Sequence, residues 1–377
     1  MRHLHSSITP AVVHQEARHA LQRVLEWKPY HESVTVVELL SLLLLMASRR
    51  QSLFATVRRL FDFSHETASR AIKAQLPALE QLTNGLLDAL HDVPKFTARQ
   101  RRQTWTIAID IHNVCYYGKR NPYTVGGQKK QGTQWFYSYA TAILLHKRAR
   151  YTVGLTVVLP GDKPHHIVRT LLDQIARKGL KIRSVALDSG FDSGETILLL
   201  QERCLGYVVP MRRKGKGTNA RNQCFKGRHK QIRWLDWKTD QTRLPVRTRT
   251  LLWKKGPTTM LFAFAGSSHD RARSLYQTAF EQPRQYRRRF GIETSYRQKN
   301  QTKAPTTSDD PVYRLLLEGV AYILRQVWEY LTREIARCRH LPPGAWVAEF
   351  TVQIMIDWLV AHLAKDYPEN NTIPLLS

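Results

Sequence analysis

Between Trp105 and Pro210 the hydrophobic pattern switches from strict alternation to helical spacing and back, which restricts the folds open to this chain. In 105–111 (WTIAIDI), Trp105, Ile107, Ile109 and Ile111 fall on one face of a strand, and Thr106, Ala108 and Asp110 on the other. Asp110 thus sits within a strand beside small neighbours, where an isolated carboxylate is costly unless it is paired or binds a cation. Strand-like runs follow at 136–145 and 151–159, separated by a basic turn at 146–150. Residues 163–178 have helical spacing, with Ile167, Leu171, Leu172 and Ile175 on one side and Gly179 as the stop. A short strand at 182–187 ends in Asp188, Ser189-Gly190-Phe191 turns, a helix covers 193–203, and 205–210 is a fifth strand.

This order (strand, strand, strand, helix, strand, helix, strand) belongs to the α/β class and matches a ribonuclease H-like mixed sheet. In that topology the first and fourth strands are central neighbours, so Asp110 and Asp188 are expected to face each other. Residues 212–230 carry Arg212, Arg213, Lys214 and further cations with no acid, and read as a flexible basic loop that touches a DNA backbone. Strand-like runs at 232–266 make 212–270 a β-rich insertion ahead of a helix with Glu293. Its tryptophans, Trp234, Trp237 and Trp253, either pack in a core or stack on unpaired bases.

Drawn as one helix, 286–300 (YRRRFGIETSYRQKN) places Tyr286, Arg289, Glu293, Tyr296 and Arg297 on one side. Gly291 inside it costs roughly 1 kcal/mol against Ala. The run is either a solvated basic helix with an incidental Glu or a face that meets phosphates. The whole chain bears on that choice: 58 Lys+Arg against 30 Asp+Glu give 377 residues a net charge of +28. Such an excess attracts a polyanion and predicts salt-dependent binding, with nucleic acid favoured over an anionic membrane surface. Apolar content of 42% is that of a globular protein. Cys115, Cys204, Cys224 and Cys338 are far apart with no CxxC pair, which argues against a zinc finger or disulfide scaffold and suits a reducing cytoplasm. The opening residues lack the apolar core of a signal peptide, and the apolar run 39–47 is too short for a bilayer, which needs about 20 residues. It reads as a buried helix.

Residues 1–92 are expected to form an all-α N-terminal domain. Leu53, Val57 and Leu60 make an apolar stripe, Asp62-Phe63-Ser64 breaks it, and a second helix capped by Ser64 runs to about residue 76 with Thr67, Arg70 and Lys73 exposed. The pair reads either as a DNA-binding helix-turn-helix or as an ordinary helical hairpin. Residues 93–104 are the expected linker, 105–211 the first part of the core and 271–310 its closing catalytic helix. Helices at 311–337 and 347–363 cover the core, and 365–377 form a loose tail.

Two aspartates from adjacent strands and a helical glutamate supply hard oxygen donors suited to Mg²⁺ or Mn²⁺. Paired ions about 4 Å apart can activate a hydroxyl and stabilise a leaving oxygen in phosphoryl displacement. Asp192 competes with Asp188 but, in Asp192-Ser193-Gly194-Glu195, is better explained as a helix cap. His112, two residues beyond Asp110, is read as a structural histidine.

These residues resemble those of DDE-class insertion-sequence transposases of bacteria and archaea, in the branch that carries Y-(2)-R-(3)-E-(6)-K. Tyr286, Arg289 and Glu293 match that spacing; its last position falls on Asn300, with Lys299 beside it and Lys303 one turn on. Residues 188–193 are similar to the second-Asp motif and 109–112 to the first, and the resemblance spans 105–325. It implies cut-and-paste transposition: cleavage at transposon ends and strand transfer into target DNA, with no covalent protein–DNA intermediate. Asp110, Asp188 and Glu293 would hold two Mg²⁺ or Mn²⁺ ions, and Tyr286, Arg289, Arg297 and Lys299 would contact phosphates. The implied partners are terminal inverted repeats and target duplex, bound by a homodimer or larger synaptic assembly at a prokaryotic nucleoid. A ribonuclease H-like endonuclease without strand transfer and a non-catalytic, transposase-derived DNA-binding protein are the other readings.

Overall fold

The computed structural model describes residues 7–30, 34–145, 149–215, 217–267, 274–342, 345 and 347–369. The first six residues, most of the basic turn 146–150, Pro343-Gly344 and the tail from residue 370 lie outside them. The chain opens with α1 (Pro10–Val24), α2 (Val36–Arg49), α3 (Leu53–Leu60), α4 (His65–Ala74), α5 (Leu79–Asp92) and the short α6 (Ala98–Arg102). Local chemistry sets their starts. Thr35 and Glu38 form a reciprocal capping box, and Ser64 Oγ accepts the Thr67 N–H at 3.1 Å. The apolar run in α2 is buried throughout, each leucine contributing about 2 kcal/mol of burial. Among the described residues no helix is long and apolar enough to cross a membrane.

The sheet follows: β1 (Thr104–Tyr116), β2 (Val125–Lys130), β3 (Thr133–Leu144), β4 (Thr152–Val158), α7 (Pro164–Arg177), β5 (Lys181–Ala186), α8 (Gly194–Glu202) and β6 (Gly206–Met211). After α9 (Ala220–Gln223) come β7 (Gln231–Lys238), β8 (Pro245–Lys255) and β9 (Thr258–Ala265). The strands form one mixed sheet in the order β2-β3-β1-β5-β6-β9-β8-β7, with β4 beside β2 on the outer edge of β3. β1 runs antiparallel to β3 and parallel to β5, so the first and fourth core strands are neighbours, as the expected strand order required. β2 had no sequence signal, because its VGGQKK lacks alternation. The insertion strands extend the main sheet through the antiparallel β6–β9 pair.

One face of the sheet buries Trp105, Ile107 and Ile109 against Ile167, Leu171 and Ile175 of α7. The other face carries α10 (Leu275–Arg289), α11 (Gly291–Lys299) and α12 (Pro311–Cys338), followed by α13 (Val352–Leu363). The helix expected at 286–300 is therefore two helices, broken at Phe290 just before Gly291. A Cβ at 291 would meet the guanidinium end of Arg150, which would have to shift to admit it. α13 starts five residues later than its apolar pattern suggested, at Val352 against 347.

The expected boundary at 92/93 does not divide the core. Val13, Leu21, Leu43 and Leu86 from the opening helices share one apolar cluster with Leu316, Val327 and Leu359 and with Tyr139 of β3. The segment assigned as linker contains α6 and buries Val93 and Phe96. Gln326 ties the layers together: its amide donates to Leu90 O at 2.7 Å and Thr152 O at 2.9 Å, and its oxygen accepts from Thr152 N at 3.0 Å. Beside it, His91 Nε2 donates to Val153 O at 2.7 Å, while its buried Nδ1 has no partner among the described residues.

Burial pushes the His91 imidazole down to about 4. The unfolded chain, with an ordinary value near 6.5, takes up this proton first as pH falls. Stability is therefore full above pH ~6.5 and falls towards pH ~4, by about 3 kcal/mol at the limit. Urea midpoints at pH 7 and pH 4.5 should separate more for wild type than for His91→Gln; equal separation would exclude this linkage.

Candidate active site

Three elements converge on one place over the sheet. Asp110 lies on β1, on the face that also carries Ala108 and His112, with Thr141 of β3 as its cross-strand partner. Its carboxyl is pushed up to about 6 by burial, with the Arg289 guanidinium opposing that shift and the Asp188 charge adding to it. Tyr296 of α11 donates to Asp110 O at 3.1 Å and hydrogen-bonds Thr141 Oγ1 at 2.8 Å, locking the helix onto the strand.

Pairing of β1 with β5 ends at Ala108↔Ala186; Asp110 lies two residues past that pair on β1 and Asp188 two residues past it, beyond the end of β5, where its charge reaches the Asp110 carboxyl. There the chain leaves the sheet in a 3-10 turn, Ser189–Phe191, which Asp188 caps by accepting the Gly190 N–H at 2.7 Å. A Cβ on Gly190 would stand 2.9 Å from that carboxylate oxygen, so a larger residue there would have to displace the Asp188 side chain.

Glu293 sits in the first turn of α11 and Arg289 at the end of α10. The Arg289 guanidinium forks between two acids, 3.1 Å from Asp110 Oδ2 and 3.1 Å from Glu293 Oε1. It is buried, with its carbon 5.4 Å from the Tyr286 ring centre and 5.1 Å from that of Phe290. Among the described residues no group of three or more His, Cys, Asp or Glu side chains is close enough to hold a metal ion. A guanidinium stands between Asp110 and Glu293 instead. The donors nonetheless fit a hard divalent cation: all are carboxylates, and two of them already share one positive group.

The other expected site residues divide. Tyr286 is half-buried against Phe262, with ring centres 5.3 Å apart. Arg297 is exposed, as are Arg70 and Lys73 on α4. Lys299, expected at a phosphate, is fully buried and ion-paired with Glu318 of α12, which Lys303 also holds at 2.6 Å. Burial pushes the Lys299 amine down to about 8, with Glu318 opposing. Its position on the inward side of α11 leaves it no access to a backbone, whereas Asn300 is exposed. His112 is half-buried with its ring 4.7 Å from that of Tyr296 and tilted to it, and burial pushes its imidazole down to about 3.

Asp192 does not cap α8; Ser193 does, accepting the Thr196 N–H at 3.1 Å. The buried Asp192 carboxylate instead binds Arg221 at 2.8 Å and the Arg212 N–H at 2.9 Å. Arg212 Nε reaches Ser189 Oγ at 2.9 Å and Lys214 Nζ reaches Asp192 O at 2.6 Å. The basic segment is thus a built structure, with α9 and buried Cys224 and Phe225, and it is fastened to the turn after Asp188. Arg212, Arg213 and Lys214 remain exposed on it. Sequence reasoning missed Glu318, although one acid within the apolar LLLEGVAYIL was a sign of a buried ion pair.

No curated protein sequence matches the chain. Among solved structures, a chain of the piggyBac transposase synaptic complex with hairpin DNA, determined by cryo-EM, is similar in fold, with a TM-score of 0.53. The identity is 11%, over 97% of this chain and 74% of that one. Residues 101–303, more than half of the chain and the stretch that contains Asp110, Asp188 and Glu293, match the family model for the transposase DDE domain. The chain belongs to the transposase DDE domain family.

Proposed function

We propose that this DNA transposase works by cut-and-paste, cleaving at transposon ends and joining them to target DNA, with Asp110, Asp188 and Glu293 as its catalytic set. The observation that carries this reading is the Arg289 fork across Asp110 and Glu293, with the Asp188 charge acting on the same guanidinium, in a chain of net charge +28. Adjacent parallel β1 and β5 support the ribonuclease H-like description of the core. Divalent Mg²⁺ or Mn²⁺ held by these carboxylates would activate a water or 3′-hydroxyl and stabilise the leaving oxygen.

The chain's own residues supply the rest. Arg289, released from its acids, is placed to take a phosphate of the cleaved end beside Tyr286. Arg212, Arg213 and Lys214 hold the backbone next to the Asp188 turn, to which Asp192 fastens them. Arg297 adds a cation on the exposed side of α11. Arg70 and Lys73 on α4, behind the Ser64 cap, present a helix to a major groove. The partners in this reading are terminal inverted repeats and target duplex, engaged by a dimer or larger assembly.

The direct test incubates the DNA flanking the open reading frame with protein and Mg²⁺ or Mn²⁺, and resolves cleaved from joined products. Asp110→Ala, Asp188→Ala and Glu293→Gln should each lower both products by at least about 10²–10³-fold while DNA binding survives. Cleavage without joining by wild type would favour an endonuclease, and a triad variant with normal cleavage would remove that residue from the set. A separate readout concerns Arg289. Because its guanidinium fills the place between two carboxylates, Mn²⁺ should raise the melting temperature of DNA-free Arg289→Gln more than that of wild type. Equal Mn²⁺ titrations of melting temperature would show that the arginine does not compete with a cation.

A further inference from the structure

α10 buries Ala279, Gln282, Pro283 and Arg289 against the sheet, and its opposite side faces solvent. That side carries Tyr276, Phe280, Arg284 and Arg287, at spacings of four, four and three, all exposed. Tyr276 is 64% and Phe280 40% exposed, with ring centres 5.9 Å apart. Lys230, just ahead of β7, brings its Nζ within 5.4 Å of the Phe280 ring centre and 5.8 Å of the Trp253 ring centre. The exposed side of the helix thus runs from aromatic rings to guanidinium groups, and the insertion adds an ammonium between Phe280 and Trp253.

The chemistry of this surface selects among partners. Apolar rings alone would suit another protein, but the neighbouring Arg284, Arg287 and Lys230 would then need carboxylates that a chain of net charge +28 is poorly placed to supply from a second copy. Duplex DNA would satisfy the cations and leave the rings idle, because its bases are already stacked. An unpaired strand satisfies both, since its bases stack on Tyr276 and Phe280 while its phosphates meet the arginines and Lys230.

We propose that Tyr276, Phe280, Lys230, Arg284 and Arg287 form a binding surface for unpaired DNA nucleotides adjoining the reacting end. This rests on the DNA-processing reading of the site and adds a surface on the side of α10 away from Asp110.

Two probes test it by fluorescence anisotropy: a blunt duplex, and the same duplex with a single-stranded extension containing 2-aminopurine. Wild type should bind the extended probe more tightly and quench its 2-aminopurine. Tyr276→Ala and Phe280→Ala should each weaken the extended probe by about 5- to 10-fold and reduce the quench, with blunt-duplex binding unchanged. Tyr276→Phe, which keeps the ring, should behave as wild type. Arg284→Gln with Arg287→Gln should flatten the salt dependence on the extended probe by about 1.4 in the log–log slope. Equal weakening on both probes, or none on the extended one, overturns the surface while the DNA reading stands. A wild type that binds neither probe overturns both.

Discussion

A carboxylate on a central strand, with burial pushing it up to about 6, must be answered by a positive charge. Arg289 provides that answer, and much of the later chain serves to deliver it. For the guanidinium to reach Asp110, α10 must lie across β6 and β9, and it does so by seating Tyr286 on Phe262 of β9. The insertion strands are therefore more than an appendage: they widen the sheet into the bed on which the arginine-bearing helix rests. Glu293, four residues on from Arg289 and just past the break at Phe290, meets the same guanidinium from the start of α11.

The far end of α11 is fixed by a second set of buried charges. Burial opposes ionisation of Glu318, yet Lys299 and Lys303 hold its carboxyl well below the usual carboxylate range. Isolated buried ion pairs seldom add net stability over apolar residues of similar volume, because desolvation cancels much of the attraction. Their use here is positional. Lys299 pins the end of α11 to α12, Arg289 ties its start to β1, and Tyr296 hydrogen-bonds the strand between them. Glu293 is thus carried on a helix held at both ends, while 40% of its own side chain stays exposed.

The central sheet was legible because its code is local. Alternation in 105–111 assigned Ile107 and Ile109 to one face and Asp110 to the other, and the later switch to helical spacing set the crossover that makes β1 and β5 neighbours. What escaped depends on contacts between distant residues. The glycine-rich β2 has no pattern of its own and exists because β3 offers an edge. The opening helices look like a separate domain in sequence, yet their apolar faces are completed by α12 and α13, some 300 residues later. Asp192 has the local form of a helix cap, and only the fold shows that Arg221, far along the chain, claims its carboxylate. Lys299 shows the same limit: its spacing suggested a surface cation, while its partner Glu318 lay in a helix whose packing was not readable from α11.

The distribution of cations refines what the net charge of +28 means. Arg221, Arg289, Lys299, Arg314 and Arg325 are all buried, each held by a carboxylate, a carbonyl or an aromatic face inside the protein. They build the structure, and all but Arg289, which the proposed reaction frees from its acids, contribute to an external polyanion only through the long-range field. Short-range phosphate contacts fall to the exposed set, and Arg212, Arg213 and Lys214 differ within it. Their segment is bound to Asp192 and Ser189, in the turn that also orients Asp188. A phosphate gathered there in the proposed reaction would lie beside the turn that Asp188 caps.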